Sequence, residues 1–200
     1  MAYQLHPWHG ISPGEEAPQI VTAFIEIVPG DTVKYEIDKA SGWLKVDRPQ
    51  KFSNIVPALY GFIPQTYCGE SIARFCAERS GKTVRKGDGD PLDICVFSER
   101  PLNHGGVLLK AVPIGGLRLI DKDEADDKII AVLQGDEVYS WKEIAECPES
   151  LVRRLMHYFL TYKTIPGSAR VCEITHVYGR EEAMEVIRRS MQDYKDSFAK

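Results

Sequence analysis

Apolar and polar residues change their spacing several times along the chain, and each change marks an element. Ile20 to Val28 (IVTAFIEIV) is rich in β-branched residues and predicts a strand, followed by a Pro29-Gly30-Asp31 turn. Val33 to Asp38 alternates: Val33, Tyr35 and Ile37 face one way, Lys34, Glu36 and Asp38 the other. Ser41-Gly42 turns the chain into a short strand, Trp43 to Val46. Ile94–Phe97, Val107–Ile114, Leu117–Ile120 and Ile129–Leu133 are further predicted strands. Strands joined by short turns suggest a small closed or nearly closed barrel.

The period then becomes helical. Leu151, Leu155, Tyr158, Phe159 and Tyr162 follow Pro148, a residue suited to a first helical position. A second helix is predicted from Arg180, with Glu181 and Glu182 in its first turn, where acids complement the helix dipole. Its buried stripe would be Ala183, Val186, Ile187, Met191, Tyr194 and Phe198. Residues 1–18, with three prolines and two glycines, read as an irregular arm. Residues 66–87 are polar, basic and short of strand pattern, and read as a surface excursion that could hold a short helix. The predicted class is mainly β with α (α+β): a barrel with C-terminal helices packed outside it.

Composition narrows the function. A chain of 200 residues suits one domain, 1–200, with a full core. The formal net charge of −4 disfavours a general nucleic-acid binder. The N-terminal residues lack a basic and then apolar leader, and no apolar run approaches the roughly 20 residues that span a bilayer; a cytoplasmic protein with no membrane partner is expected. The five cysteines form no C-x-x-C pair and read as buried thiols in a reducing compartment.

The chemistry concentrates in acids. Asp88-Gly89-Asp90-Pro91-Leu92-Asp93 holds three carboxylates in six residues, just before an apolar strand. Like charges held so close would be driven to protonate unless a cation stands among them. Oxygen ligands without His or Cys select magnesium, calcium or manganese. An EF-hand is disfavoured, because Leu92 and Asp93 occupy the places of a ligand and of the sharp-turn glycine. A second cluster, Asp121 to Lys128 (DKDEADDK), joins two predicted strands as a hairpin connection; alone it would read as a solvated turn, but two such clusters beside barrel strands make a shared metal site plausible. Lys34, Glu36, Arg48, Tyr60, Tyr162 and Lys163 could complete a phosphate-binding set, although each alone has a structural explanation. There is no P-loop and no G-x-G-x-x-G.

Seven segments taken in order resemble the soluble family I inorganic pyrophosphatases. They are FIEI with Glu26, VKYEIDK with Lys34 and Glu36, VDR with Arg48, P-x-x-YGF with Tyr60, DGDPLD, the Asp121–Asp126–Lys128 pattern, and HYFLTYK. The match runs from about residue 20 to about residue 164, and VDRPQKFSN, DGDPLDICV and EADDKIIAVL look closest to a chlamydial branch. The resemblance implies a five-stranded OB-like barrel with flanking helices, Mg2+ as cofactor, and hydrolysis of pyrophosphate by a two-metal in-line attack. By position, Asp88, Asp93, Asp121 and Asp126 would be metal ligands, Glu26 would help hold outer metals through water, and Asp90 would be the general base. Lys34, Arg48, Lys128, Tyr60, Tyr162 and Lys163 would hold phosphate oxygens, with Glu36 beside Lys34 in the substrate site. The family also implies a homo-oligomer, either dimer or hexamer. Val56 departs from a tyrosine common in relatives. Lys122 and Asp123 replace an acidic-then-small pair, which would bring a positive charge near an outer metal. Two other readings stay open on the residues alone: an OB-like module gripping single-stranded nucleic acid or a phosphorylated partner, and a phosphatase of organic diphosphates.

Overall fold

The apolar run after Pro18 becomes strand β1 (Val21–Ile27) in the computed structural model, which describes residues 5–164, 167 and 172–198. Next come β2 (Val33–Ile37) and β3 (Leu44–Pro49), which pair only with each other as a hairpin. Then follow β4 (Leu59–Phe62), α1 (Glu70–Ser80), β5 (Lys86–Gly87), β6 (Asp93–Phe97), β7 (Val107–Asp121), β8 (Glu124–Ala125) and β9 (Lys128–Leu133). The chain ends with α2 (Glu149–Thr161), β10 (Cys172–Gly179) and α3 (Arg180–Phe198).

Pairing runs β1-β4-β6-β9-β7 and returns from β7 to β1, so five strands close into a ring. Only the β6–β9 pairing within that ring is parallel. The strands read as continuous apolar runs because both of their faces are buried. Ile94, Val96, Ile129 and Ala131 join one core cluster with α1 and α3, while Cys95, Phe97, Ile130 and Val132 join another with α2. A third, smaller cluster places Trp8 of the N-terminal arm against Phe24, Ile37 and Phe62. Val56, the departure from tyrosine, is fully buried in the cluster under α2.

Four expectations need correction. Val107–Ile114 and Leu117–Ile120 are one strand of 15 residues, because Gly115-Gly116 is not a turn. A Cβ on Gly116 would stand 2.5 Å from the Tyr178 ring, so glycine there admits β10 onto the same strand. The excursion at 66–87 carries the helix offered for it but is not confined to the surface, since that helix buries Ile72, Ala73 and Cys76. Strand β10 carries His176 and Val177 exposed beside Tyr178 buried, and this pattern hid it in the sequence. Phe198, placed on the buried stripe of α3, is 44% exposed and rests edge-on against Trp8. Pro148 precedes α2 as its N-cap. All five cysteines are free thiols, four of them buried. Among the described residues no helix is long and apolar enough to cross a membrane.

Candidate active site

One cleft of about 270 Å³ opens where β1, β2, β4, β6, the β7–β8–β9 connection and the end of α2 meet. Local rules bring each side chain there. The parallel β6–β9 register sets Asp93 opposite Lys128. The adjoining β4 sends the Tyr60 hydroxyl to Asp93 Oδ2 at 2.7 Å. Before β6, the Asp90 N–H donates to Asp88 Oδ1 at 3.0 Å, folding the DGD segment into a tight turn. Asp121 ends β7, and Lys163, just past α2, donates to its Oδ2 at 2.6 Å. Glu26 enters from β1 and accepts the Ile37 N–H at 2.7 Å, tying the β2–β3 hairpin to the ring. Lys34 bridges Glu36 at 3.0 Å and Asp47 at 2.9 Å.

Of the thirteen residues proposed from the sequence, twelve line this cleft, and Arg48 does not. Arg48 sits across the hairpin from Lys34 and pairs with Asp47. The sequence reading passed over Lys39, which lines the cleft and forms an ion pair with Asp90. Its signal was available: Lys39 follows β2 at the hairpin turn, within the VKYEIDK segment itself. Lys122 lies elsewhere, with Asp123 in the left-handed turn after β7, beside Ile120 and Leu160 in a separate depression. The positive charge expected near an outer metal therefore does not line the cleft. Glu124 does line it, half-buried. Asp127, read as part of a solvated turn, is instead buried and paired with Arg118.

The electrostatics are those of charges taken out of water. Burial raises the Asp88 carboxyl well above its ordinary range, and the charge of the neighbouring Asp126 adds to the rise. Burial also raises Asp126 itself. Lys128 is pulled in the opposite sense: burial would lower its pKa, but Asp126 and Asp93 outweigh burial and hold the ammonium charged. Lys128 makes ion pairs with both of those carboxylates. Burial lifts Glu26 to about 8, partly offset by its Ile37 hydrogen bond.

No three His, Cys, Asp or Glu side chains among the described residues stand close enough together to enclose a metal ion as they are placed. Lysine ammonium groups stand against Asp90, Asp93, Asp121 and Asp126 instead. The donor set nevertheless fits a hard divalent cation, being all carboxylate oxygen. Asp121 Oδ1 is buried without a hydrogen-bond partner. Asp88 and Asp126 stand close enough for the charge of Asp126 to raise the Asp88 carboxyl, a repulsion that a cation between them would relieve.

A pH dependence follows. The folded chain keeps a proton on Glu26 up to about 8, whereas the unfolded chain releases it near 4.5. This contribution to stability is complete below 4.5 and is lost as pH rises through about 8. Urea midpoints measured in chelator are expected to fall across that window less steeply in Glu26→Gln than in the parent. Equal slopes would show that Glu26 does not titrate there.

The chain matches the family model described as "Inorganic pyrophosphatase" over residues 23–195. It is 50% identical over 202 residues to an inorganic pyrophosphatase of Chlamydia caviae, covering 98% of this chain and 94% of that one. It is 34% identical to soluble inorganic pyrophosphatase 2 of Chlamydomonas reinhardtii, covering 96% of this chain and 90% of that one. The crystal structure of inorganic pyrophosphatase from Thermus thermophilus superposes with a TM-score of 0.78 at 29% identity, covering 96% of this chain and 99% of that one. The chlamydial likeness in VDRPQKFSN and DGDPLDICV thus extends over nearly the whole sequence, and the fold superposes on that of a solved relative. With its ordered acidic and basic segments gathered in one cleft, the chain belongs to the inorganic pyrophosphatase family.

Proposed function

We propose that this protein hydrolyses inorganic pyrophosphate to two orthophosphates with magnesium, by a two-metal in-line attack. The observation that carries the reading is the joining of two acidic arms, Asp88–Asp93 and Asp121–Asp126, with Lys34, Lys128 and Lys163 in one cleft. Asp88, Asp93, Asp121 and Asp126 would hold the ions, with Glu26 behind them acting through water. Magnesium bound there would supply Lewis acidity toward the attacking water and the phosphates.

The chain's own groups do the rest. Asp90 accepts the proton of the attacking water at its carboxylate, so Lys39 must first leave it. Lys128 and Lys163 now neutralise carboxylates of the metal-holding set, and each can turn to a phosphate oxygen once a cation takes its place, while Lys34 reaches phosphate from its pairs with Glu36 and Asp47. Tyr60 and Tyr162 supply phenol hydroxyls at the wall of the cleft, and Glu36 orients Lys34. Developing charge on the leaving phosphate thus meets donors already held in place. We read residues 1–200 as one domain of a cytoplasmic homo-oligomer, dimer or hexamer, without nucleic-acid or membrane partners. The exposed Trp43 and Val46 at β3 support self-association.

The deciding experiment is orthophosphate release from pyrophosphate, titrated with Mg2+ and challenged with Ca2+. Mg2+-dependent release, inhibited by Ca2+, is expected. No release, together with salt-sensitive binding of an oligonucleotide, would favour the binding-module reading. Arg48, paired with Asp47 at the rim, is expected to swing to phosphate. Arg48→Ala should weaken phosphate affinity about ten-fold or more, the loss of one hydrogen bond to a charged group. Unchanged affinity in a product-inhibition assay would remove Arg48 from the substrate site.

A further inference from the structure

Residues 66–87 take no part in the chemistry above, yet α1 is linked to both acidic arms. At its N-terminal end α1 has no capping side chain of its own. Asp193, reaching over from α3, accepts N–H bonds from Gly69 at 3.0 Å, Ser71 at 3.0 Å and Ile72 at 3.1 Å. A buried carboxylate thus satisfies donors that a helix start leaves open and complements its dipole. One residue upstream, the Cys68 N–H donates to the Asp90 carbonyl at 2.9 Å, and the Cys68 carbonyl accepts the Gly89 N–H at 3.2 Å. Gly87 packs on the same peptide so closely that a Cβ there would stand 2.0 Å from the Cys68 oxygen. The backbone of the first acidic arm is therefore gripped by the chain that leads into α1.

The second arm is reached from the side of α1. Asp127 lies between Asp126 and Lys128 but is turned away from the cleft they line, and its Oδ2 accepts from Arg118 Nη2 at 3.0 Å. The Arg118 guanidinium is fully buried, 5.0 Å from the ring of Phe75 in α1 and 5.0 Å from that of Tyr178. Its other branch donates to Glu182 at 2.7 Å, and Glu182 also accepts from Arg79 of α1 at 2.7 Å.

We propose that α1 is a brace that sets the Asp88–Asp90 turn against the Asp126–Lys128 segment, and that Asp193 and Arg118 are positioning residues for divalent-metal binding. The inference rests on the reading that the two arms share metal ions. Partners of this kind behind the ligands fix carboxylate orientation, and their loss weakens metal affinity. If α1 merely filled the core, its anchors would change the melting temperature and leave the affinity of the folded protein alone.

Mg2+ is titrated calorimetrically into the substrate-free full chain, below the melting temperature of each variant. Asp193→Ala should bind Mg2+ about ten-fold more weakly. Asp193→Asn should show a smaller loss, because its amide nitrogen cannot accept the N–H bonds made by one carboxylate oxygen. Arg118→Lys keeps the charge but cannot fork to Asp127 and Glu182, and should also weaken binding. Val152→Ala, on the buried face of α2, should lower the melting temperature with Mg2+ affinity unchanged. If Asp193→Ala does not fold, the Asn and Lys variants decide. Parental affinity in both of those overturns the brace. Absence of Mg2+ binding in the parent overturns the metal reading and the brace with it.

Discussion

Asp90→Asn is expected to lower turnover by about 100- to 10,000-fold, the range for loss of a positioned general base, while Mg2+ affinity stays within about two-fold of the parent. Asparagine keeps the shape and hydrogen-bond reach of the side chain but cannot take up a proton at neutral pH. Asp88, Asp93, Asp121 and Asp126 keep their own partners, so the ligand set is not directly disturbed. The backbone of the turn is held by Cys68 and by the Asp90 N–H, neither of which the substitution removes. Initial rates of orthophosphate release at saturating pyrophosphate, beside a calorimetric Mg2+ titration, separate the two effects. Near-normal turnover sinks the role of Asp90. A large loss of Mg2+ affinity would move Asp90 from base to ligand.

What the sequence made legible is what depends on local spacing. DGDPLD announces itself because three acids in six residues need a cation or protons, whatever fold surrounds them. VKYEID shows its alternation because the hairpin it belongs to is only half covered. Tyr162-Lys163 was placed at a helix end by simple periodicity, and the structure puts it there. Gly115-Gly116 reads in sequence like a break between two strands, while its purpose here is to let Tyr178 approach a single continuous one. Strand β4 was missed because four residues are too few to show a period.

The harder losses were buried polar contacts across long separations. Asp193 looks like any polar residue of an amphipathic helix, and nothing near it in sequence says that it caps a helix more than 120 residues away. Arg118 sits in the strand LRLI as a lone charge, a sign of burial with a partner that could have been noticed, but its partners lie on a hairpin and on α3. Asp127 was indistinguishable from its acidic neighbours because charge counts do not reveal direction. Asp126 and Asp127 lie in the two-residue link between β8 and β9, where no strand alternation fixes direction, so only the buried Arg118 beneath shows that Asp127 faces the core.

Arg118→Met should therefore cost about 3–5 kcal/mol of stability, the loss expected when one member of a buried pair is removed. Methionine leaves Asp127 buried, with only the Tyr178 hydroxyl at 3.0 Å still bonded to it. Burial already lifts the Asp127 carboxyl, and Arg118 is the group that pulls it back down. Urea denaturation at neutral pH reads the loss as a lower midpoint, and a change under about 1 kcal/mol would show that the pair is not stabilising its partner. The double variant Arg118→Met with Asp127→Leu sharpens the argument. Arg118 Nε and Asp127 Oδ1 lack partners even now, so the pair does not fully repay its desolvation. An apolar replacement of similar volume is expected to restore most of the midpoint. Mg2+ affinity is expected to remain low in that double variant, since packing alone does not hold the Asp126–Lys128 backbone in the direction the carboxylate imposed. Stability that returns without metal affinity would separate what the pair does for the fold from what it does for the site.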